Sequence, residues 1–290
     1  MSKFQAIIDD KPTGFWPCEN LSGATASSLI GPDASVGGAS YQAFGSAVGV
    51  HSNALELTSA TTSTRLLTGI GASAAWTTFT ATCVFKTDSL SAEITLISKN
   101  EYFAGTTANF PFTLNIKTDG SLSLTLSNGG DYTADLTLTT ATGLVTTGTF
   151  YHAAAVVRAS GLCEIYLDGV QVASSTTAFS VSTSSVQFSF GGPSVLSGGG
   201  VNTRGLDGVL AGCGIFPTAL SGARLVEHAK TLATKTVSGI VRDNVGAYAA
   251  RTVRAYRRDT GVLVAETTSN GTTGAYTLKI PTATEVTDRK

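Results

Sequence analysis

Two acidic side chains near the middle of the chain are the best placed to catalyse hydrolysis of a glycoside. That reaction needs two carboxyl groups about 5–5.5 Å apart for retention of configuration, or somewhat farther apart for inversion. Glu164 and Asp168 are four positions apart, so both would lie on the same face of one extended segment. At about 3.3 Å per residue they would lie roughly 13 Å apart, and Asp168 also precedes Gly169 in a predicted turn. The sequence therefore predicts no catalytic residue and a protein that is not an enzyme.

The histidines and cysteines are the next candidates for chemistry, because they could form a catalytic triad or a metal site. No Ser or Asp pattern typical of a triad surrounds the three histidines, which are His51, His152 and His228. No Cys-x-x-Cys pair typical of zinc occurs among the four cysteines, which are Cys18, Cys83, Cys163 and Cys213. We expect His152 to pack and to form hydrogen bonds. The cysteines are predicted to be buried thiols, with disulfides as the alternative if the protein functions outside a cell.

Contacts with a glycan or a partner would come from exposed aromatic rings and from arginines. Trp76 opens a predicted strand beside small residues, and Tyr41 and Tyr102 lie in predicted loops. An aromatic ring at the surface can stack on a sugar ring. The candidates for an acidic or phosphate partner are Arg254, Arg257 and Arg258. Core packing for Trp76 and a solvated strand face for the arginines are the alternatives.

Composition excludes several classes of function. Of the 290 residues, 13% are charged and the net charge is −1, which argues against a nucleic-acid binder because such proteins concentrate Lys and Arg. No apolar run approaches the ~20 residues of a membrane span. Residues 1–10 lack the basic and apolar parts of a secretory signal, so we expect synthesis in a reducing cytoplasm.

Ser and Thr make up about a quarter of the chain, and 32 glycines accompany one methionine; this profile is typical of short strands joined by turns.

Residues 150–175 are the stretch around which the strands are organised. They predict three strands, at 153–158, 163–167 and 170–173, with Asp168-Gly169 as the turn between the last two. Asp-Gly between strands is a strong hairpin signal because glycine adopts positive φ without steric cost. A second Asp-Gly turn, Asp119-Gly120, joins predicted strands at 112–117 and 121–127.

The sequence Phe-Tyr-His followed by small apolar residues, a turn, and Tyr166-Leu167-Asp168-Gly169 resembles the centre of concanavalin A-like jelly rolls, nearest to the laminin-G and pentraxin-like members. The opening also resembles laminin-G-like domains, with a short helix ended by Pro12 and an aromatic pair, Phe15-Trp16. The resemblance covers roughly residues 3–232 and implies an antiparallel sandwich closed by the strand at 205–216 and a helix from Ser221 to about 232. It also implies that the strands at 76–86 and 95–98 belong to the sheet opposite residues 150–175.

A calcium ion is the one cofactor that this resemblance raises, because related domains often hold one in an Asp-rich loop after the aromatic pair. Here residues 27–33 supply a single carboxylate, Asp33, whereas calcium prefers several oxygen ligands including more than one carboxylate. We therefore expect no metal and no cofactor.

The composition changes after residue 236. Residues 237–290 carry eight Lys/Arg against five Asp/Glu and predict four strands. They resemble the small prealbumin-like sandwich found beside carboxypeptidases and in phage virion proteins, which usually has about seven strands. We predict an all-β protein with two parts, a large jelly-roll sandwich at 1–234 and a small, incomplete sandwich at 235–290, plus one or two short helices. Unpaired edges can be completed by a strand of another protein.

These observations predict a non-enzymatic structural or accessory protein of a bacteriophage virion, in the tail, fibre, baseplate or capsid decoration. Its expected partners are other virion proteins, including a strand paired with the C-terminal segment, and a host surface glycan, with oligomerisation in the particle. A carbohydrate-binding adhesin that recognises a receptor is the first alternative, and a glycoside hydrolase of the jelly-roll class is the second.

Overall fold

The computed structural model describes residues 4–19, 21–22, 24–37, 41–45, 54–57, 65–70, 78–99, 101–103, 112–127, 136–179, 186–193, 195–197, 204–232, 234–243, 246–256 and 263–281. In chain order its elements are α1 (Gln5–Ile8), β1 (Gly14–Trp16), β2 (Leu21–Ser22), β3 (Thr25–Ala26), β4 (Ala34–Gly37), β5 (Tyr41–Gly45), β6 (Ala54–Leu57), β7 (Arg65–Leu67), β8 (Phe79–Thr87), β9 (Ile94–Lys99), β10 (Glu101–Phe103), β11 (Phe112–Ile116), β12 (Leu122–Leu126), β13 (Leu136–Thr139), β14 (Phe150–Val157), β15 (Cys163–Leu167), β16 (Val170–Ser174), β17 (Ser189–Phe190), β18 (Val195–Ser197), β19 (Gly208–Phe216), α2 (Gly222–Leu232), β20 (Thr234–Ile240), β21 (Thr252–Tyr256), β22 (Leu263–Thr268) and β23 (Ala275–Pro281).

Two large antiparallel sheets contain most of these strands. One has the order β16-β15-β14-β8-β19-β6-β5, with β1 also paired to β19, and the other has the order β13-β12-β11-β9-β17-β7-β4-β3-β2. A separate short pair, β10 and β18, is parallel. The predicted all-β, antiparallel jelly-roll sandwich with two short helices is confirmed.

The strand β14 is covered on both faces, which explains why its sequence is almost continuously apolar. Ala153, Ala155 and Val157 belong to the core between the two sheets. Ala154 and Val156 point to the other face, where a second apolar cluster includes residues of both helices. A strand covered on both faces loses the alternation of apolar and polar residues that a half-exposed strand keeps.

Close packing of β19 against β8 depends on glycine at Gly208. Its φ is +146°, and a β-carbon added there would lie 2.0 Å from the carbonyl oxygen of Lys86. Farther along, the register between the two strands shifts between Ala211 and Gly214, which marks a β-bulge. β19 is therefore fixed by backbone geometry as well as by its buried side chains.

The two Asp-Gly hairpins have the predicted positions. Asp168 and Gly169 have φ values of +51° and +80°, as a type I′ turn between twisted strands requires. Gly120 has a φ of +75° and joins β11 to β12, whose residues pair from Phe112 with Leu126 to Ile116 with Leu122. The hairpin predictions are confirmed.

One predicted sheet assignment is wrong. The strand predicted at 76–86 appears as β8, which pairs directly with β14 in the sheet that also holds β15 and β16. Only the strand predicted at 95–98, now β9, belongs to the opposite sheet. Periodicity reports which side chains are buried, but it does not report which strand lies next to which.

The helices lie where proline and serine signals placed them. α1 ends before Pro12, and α2 begins directly after Ser221, whose hydroxyl accepts a hydrogen bond from the Arg224 backbone N–H at 3.4 Å. Leu225 and Ala229 are buried on the inner face of α2. Among the described residues, neither helix has the length and apolar character needed to cross a membrane.

The four predicted C-terminal strands are present and form two antiparallel pairs. β20 pairs with β23, and β21 pairs with β22. Neither pair shares a strand with the two large sheets. The division into parts at 1–234 and 235–290, and the completion of the C-terminal segment by another protein, stay predictions.

Substitution of Gly208 should test how far the sandwich depends on the approach of β19 to β8. We expect Gly208→Ala to lower the free energy of unfolding by about 3 kcal/mol or more, because the new methyl group overlaps the Lys86 carbonyl and cannot move away from it. Urea unfolding followed by tryptophan fluorescence would measure the change.

Gly143→Ala is the matched control. Gly143 also has a positive φ, +73°, but a β-carbon there meets nothing within 4 Å. We expect it to cost only about 1 kcal/mol, the price of the backbone conformation alone. Equal losses in the two variants would contradict the steric explanation.

Candidate functional site

Glu164 is held in an ion pair on the central hairpin. Arg158, directly after β14, donates from Nε and Nη2 to the two carboxylate oxygens at 2.7 and 2.6 Å. The Tyr166 hydroxyl donates to the same carboxylate at 2.9 Å. The hydrogen bond from Arg158 lowers the pKa of Glu164. A carboxyl group that has to donate a proton to a leaving group needs a raised pKa instead, so this environment suits a structural role.

Asp168 serves the turn in which it lies. Its carboxylate accepts the backbone N–H of His152 at 2.7 Å, and its own backbone N–H donates to the His152 carbonyl at 2.7 Å. A β-carbon on the next residue, Gly169, would lie 2.6 Å from the α-carbon of Val226 in α2. The Asp-Gly turn thus joins the hairpin to β14 and lets the helix pack closely over it.

A partly buried polar cluster lies beneath α2. Asp10 accepts a hydrogen bond from His228 Nε2 at 2.7 Å and from Arg224 Nε at 2.9 and 3.0 Å. Arg224 also donates from Nη2 to the Ala6 carbonyl at 2.7 Å. These contacts fasten the segment that follows α1 to α2 across more than 200 positions of sequence. The sequence analysis missed this cluster because neither helix shows a local pattern that points to the other.

His152 lies beside this cluster without sharing its hydrogen bonds. Its ring centroid is 6.4 Å from that of His228, its side chain is fully buried, and neither ring nitrogen has a hydrogen-bond partner among the described residues. The predicted packing role is confirmed, but the predicted hydrogen bonds of its side chain are absent. Burial, with a smaller effect of His228, lowers the pKa of His152 to about 3, so the ring is neutral near pH 7. His51 lies outside the described residues.

The loop considered for calcium is closed by its own hydrogen bonds. Asp33 accepts the Ser28 backbone N–H at 2.8 Å, and the Ser28 hydroxyl donates to the Gly31 carbonyl at 2.6 Å. Within the part of the chain that the structure describes, no group of three or more His, Cys, Asp or Glu has a metal-binding arrangement.

All four cysteines are buried free thiols, as the sequence predicts. Three of them lie in the core between the two large sheets around β19: Cys18, Cys83 and Cys213. Their separation in sequence gave no sign of this proximity.

The structure describes the side-chain contacts of only one of the residues predicted to contact a glycan or a partner. Trp76, Arg257 and Arg258 lie outside the described residues. Tyr41 belongs to β5 and Tyr102 to β10 rather than to loops, and the contacts of their side chains are likewise outside the description. Arg254 is described and forms an exposed ion pair with Glu266 on the neighbouring strand β22.

Two exposed tyrosines that the sequence analysis missed lie in the C-terminal segment. Tyr248 is 45% exposed, and the Arg242 guanidinium lies 5.0 Å from its ring centroid. Ile240, 60% exposed, approaches the same place, because a β-carbon on Gly274 would touch both Tyr248 and Ile240. We call Ile240, Arg242 and Tyr248 the tyrosine–arginine patch. The second tyrosine, Tyr256, is exposed on β21.

The two large antiparallel sheets define a β-sandwich of the jelly-roll class. The model of the Laminin_G_3 family, described as concanavalin A-like lectin/glucanases superfamily, matches residues 57–225. The chain therefore belongs to this superfamily, and the resemblance inferred for its larger part is confirmed. No curated protein matches the chain.

Solved structures that match the chain include a sialidase and the CBM40 of another sialidase. Trypanosoma rangeli sialidase in complex with 2,3-difluorosialic acid is 15% identical with a TM-score of 0.53, and the match covers 74% of this chain and 32% of that chain. The Ruminococcus gnavus IT-sialidase CBM40 bound to alpha2,3 sialyllactose is 18% identical, with a TM-score of 0.45 and coverage of 53% and 83%. The chain thus spans about a third of the length of the sialidase, and at this identity the likeness shows the fold.

The buried His152 should make the protein sensitive to mild acid. Its pKa is about 3 when folded and about 6.5 when unfolded, so below pH 6.5 the unfolded chain binds a proton that the folded chain does not. The contribution of His152 to the free energy of unfolding is then fully present above pH 6.5, and it is lost as the pH drops toward 3. Between pH 6.5 and 5 we expect a loss of about 2 kcal/mol from this residue. Urea unfolding at several pH values would measure it.

His152→Leu should reduce this slope, because it removes one histidine that binds a proton in the unfolded chain and not in the folded protein. His228, whose pKa is also lowered by burial, accounts for a part of the slope that stays. Asp119→Asn is the control, since the pKa of the Asp119 carboxyl is lowered by its hydrogen bonds with Ser121 and it titrates below this window. A slope in His152→Leu equal to that of the unmodified protein would contradict the assignment.

The contacts of Asp10 should contribute strongly to stability. We expect Asp10→Ala to lower the free energy of unfolding by roughly 2–4 kcal/mol, because it leaves the buried His228 and the partly buried Arg224 without their partner. Lys230→Ala is the control: it removes an exposed ion pair with Glu227 and should cost at most about 0.5 kcal/mol. Similar losses for both variants in urea unfolding would contradict a special role for Asp10.

Proposed function

We propose that this protein is a non-enzymatic structural or accessory protein of a bacteriophage particle, displayed there for contact with a glycan or another protein. The non-enzymatic part of the proposal is supported by the contacts of two acidic residues, Glu164 and Asp168. Glu164 is bound by Arg158 and Tyr166, and Asp168 caps the backbone N–H of His152. Both carboxylates stabilise the hairpin, and neither faces a second acid in the described contacts.

Composition supports the virion part of the proposal. A rigid β-sandwich with few charges and many Ser and Thr residues suits an assembly that is built in a cytoplasm and then acts outside a cell. The basic residues concentrate in 237–290, with eight Lys/Arg against five Asp/Glu, while the preceding residues are net acidic. This segment is the proposed anchor to other virion proteins, and its two strand pairs offer edges for an added strand.

In the adhesin alternative residues 237–290 face outward instead of anchoring the protein, and the tyrosine–arginine patch is then the proposed contact surface among the described residues. Tyr248 presents an aromatic ring for stacking against a sugar ring, and Arg242 holds that ring by its cation–π contact while it keeps N–H donors for hydroxyl or carboxylate groups. The Ile240 side chain extends the apolar part of the surface. This combination supports the adhesin alternative, in which the contact is with a host glycan.

The virion assignment can be tested by mass spectrometry of purified particles that have been separated into heads and tails. We expect the protein in one of the two fractions at a fixed copy number relative to the major capsid protein. Its absence from both fractions, with the protein abundant in the infected cell, would overturn the virion proposal.

Glycan contact can be tested on an array that presents the full chain in multivalent form and includes sialylated glycans. For any glycan bound through the patch we expect Tyr248→Ala to weaken binding about tenfold or more and Tyr248→Phe to retain it, since the ring provides the contact. Val170→Ala, which changes an exposed apolar residue at the start of β16, should leave binding unchanged.

Three outcomes separate the alternatives. Binding that survives Tyr248→Ala places the contact elsewhere on the protein. No binding at high valency favours a purely architectural protein over an adhesin. Cleavage of a polysaccharide that Glu164→Gln abolishes would overturn the non-enzymatic proposal and favour the glycoside hydrolase.

A further inference from the structure

Three thiols meet where the first strand joins the last strand of the sandwich. Trp16 in β1 pairs with Cys213 in β19, and Cys18 follows two positions after Trp16. Cys83 in β8 lies opposite the bulge in β19 that contains Cys213, because Val84 pairs with Ala211 and Thr82 pairs with Gly214. All three side chains belong to the core between the sheets.

The segments that carry Cys18 and Cys213 are joined directly. Trp16 pairs with Cys213, and the backbone N–H of Gly212 donates to the Pro17 carbonyl at 3.4 Å, so the residues that precede the two cysteines are in contact. Both side chains are buried in the same core. The Cys18 Sγ also donates to the Trp16 carbonyl at 3.6 Å, so its side chain is turned back along β1 toward Cys213.

The backbone at Cys18 has a conformation that is unfavourable for a residue with a side chain. Its φ is +60°, in the left-handed region that glycine and asparagine adopt most easily and that other residues adopt at a cost. A residue with a side chain at such a position is a reason to look for a function of that side chain.

We propose that Cys18 and Cys213 form a disulfide bond when the protein enters an oxidising environment, and that this bond locks β1 to β19. Cys83 is the third thiol of the cluster and stays reduced. The inference does not depend on which partner or glycan the protein contacts, but it fits a protein that is made in a reducing cytoplasm and acts outside it.

The reaction is an exchange with a disulfide oxidant such as glutathione disulfide. The Cys18 thiolate attacks one sulfur of the oxidant, forms a mixed disulfide and releases one glutathione thiolate. The Cys213 thiolate then attacks the Cys18 sulfur and releases the second glutathione. The protein loses two electrons and two protons, and one glutathione disulfide becomes two glutathione thiols. Cys18 and Cys213 are both buried, so the attack on the external oxidant already needs local opening, and the whole exchange should be slow.

The expected stabilisation is large because the bond closes a long loop. Cross-links that enclose more than about 100 residues restrict the unfolded chain strongly. For a protein of this size the melting temperature should rise by roughly 5–15 °C.

The test uses the full chain, purified in reductant and then incubated at 37 °C with a glutathione redox buffer rich in glutathione disulfide. The protein is unfolded in denaturant so that its buried free thiols react with N-ethylmaleimide, and it is then digested without reduction for mass spectrometry. We expect a cross-linked peptide pair containing Cys18 and Cys213, alkylated Cys83 and Cys163, and a raised melting temperature that reductant reverses.

Variants separate this pair from other sources of stabilisation. Cys18→Ala and Cys213→Ala should abolish both the cross-link and the oxidation-dependent rise in melting temperature, while Cys163→Ala, which changes a thiol outside the cluster, should retain both. If a variant fails to fold, the peptide map of the unmodified protein decides alone. Alkylation of both Cys18 and Cys213 after prolonged oxidation, or a cross-link that contains Cys83, would overturn the proposal.

Discussion

The pairing of β19 with its neighbours is the constraint on which the rest of the sandwich depends. This strand is buried along its whole length and pairs with β8, β6 and β1. These partners come from three places in the first third of the chain, and β8 in turn pairs with β14, so β19 links the N-terminal segment to the strands of the central hairpin. The glycine at position 208 is required because the Lys86 carbonyl occupies the space that a side chain would need. The bulge near Cys213 then accommodates β1 on the other side.

Charged and polar side chains in this fold are used mainly to attach secondary-structure elements to one another. Asp10 joins the N-terminal helix to α2, and Asp168 joins the hairpin turn to β14. Arg158 and Glu164 connect the end of β14 to β15. The chain is only 13% charged, and the proposed recognition therefore relies on an exposed ring and its neighbouring cation, Tyr248 and Arg242.

Much of the fold could be predicted from the sequence because its signals are local. The Asp-Gly turns, the alternation in β8 and the proline after α1 each depend on residues close together in the chain. The pairing of β8 with β14 was missed because alternation carries no information about neighbours. The cluster around Asp10 and the gathering of Cys18, Cys83 and Cys213 were missed for a related reason: each joins residues that only the completed fold brings together. Tyr248 was missed because nothing in its local sequence distinguishes an exposed tyrosine from a buried one.

The pairing of β1 with β19 also determines when the sandwich can close during synthesis. Gly14 pairs with Ile215, so the first strand waits for about 200 further residues to be translated before its partner exists. At roughly 5–20 residues per second this interval lasts about 10–40 s. Throughout it, the apolar rings of Phe15 and Trp16 lack the strand that later covers them. A newly made chain is therefore most vulnerable to self-association, and most dependent on a chaperone, just before translation of the closing strand.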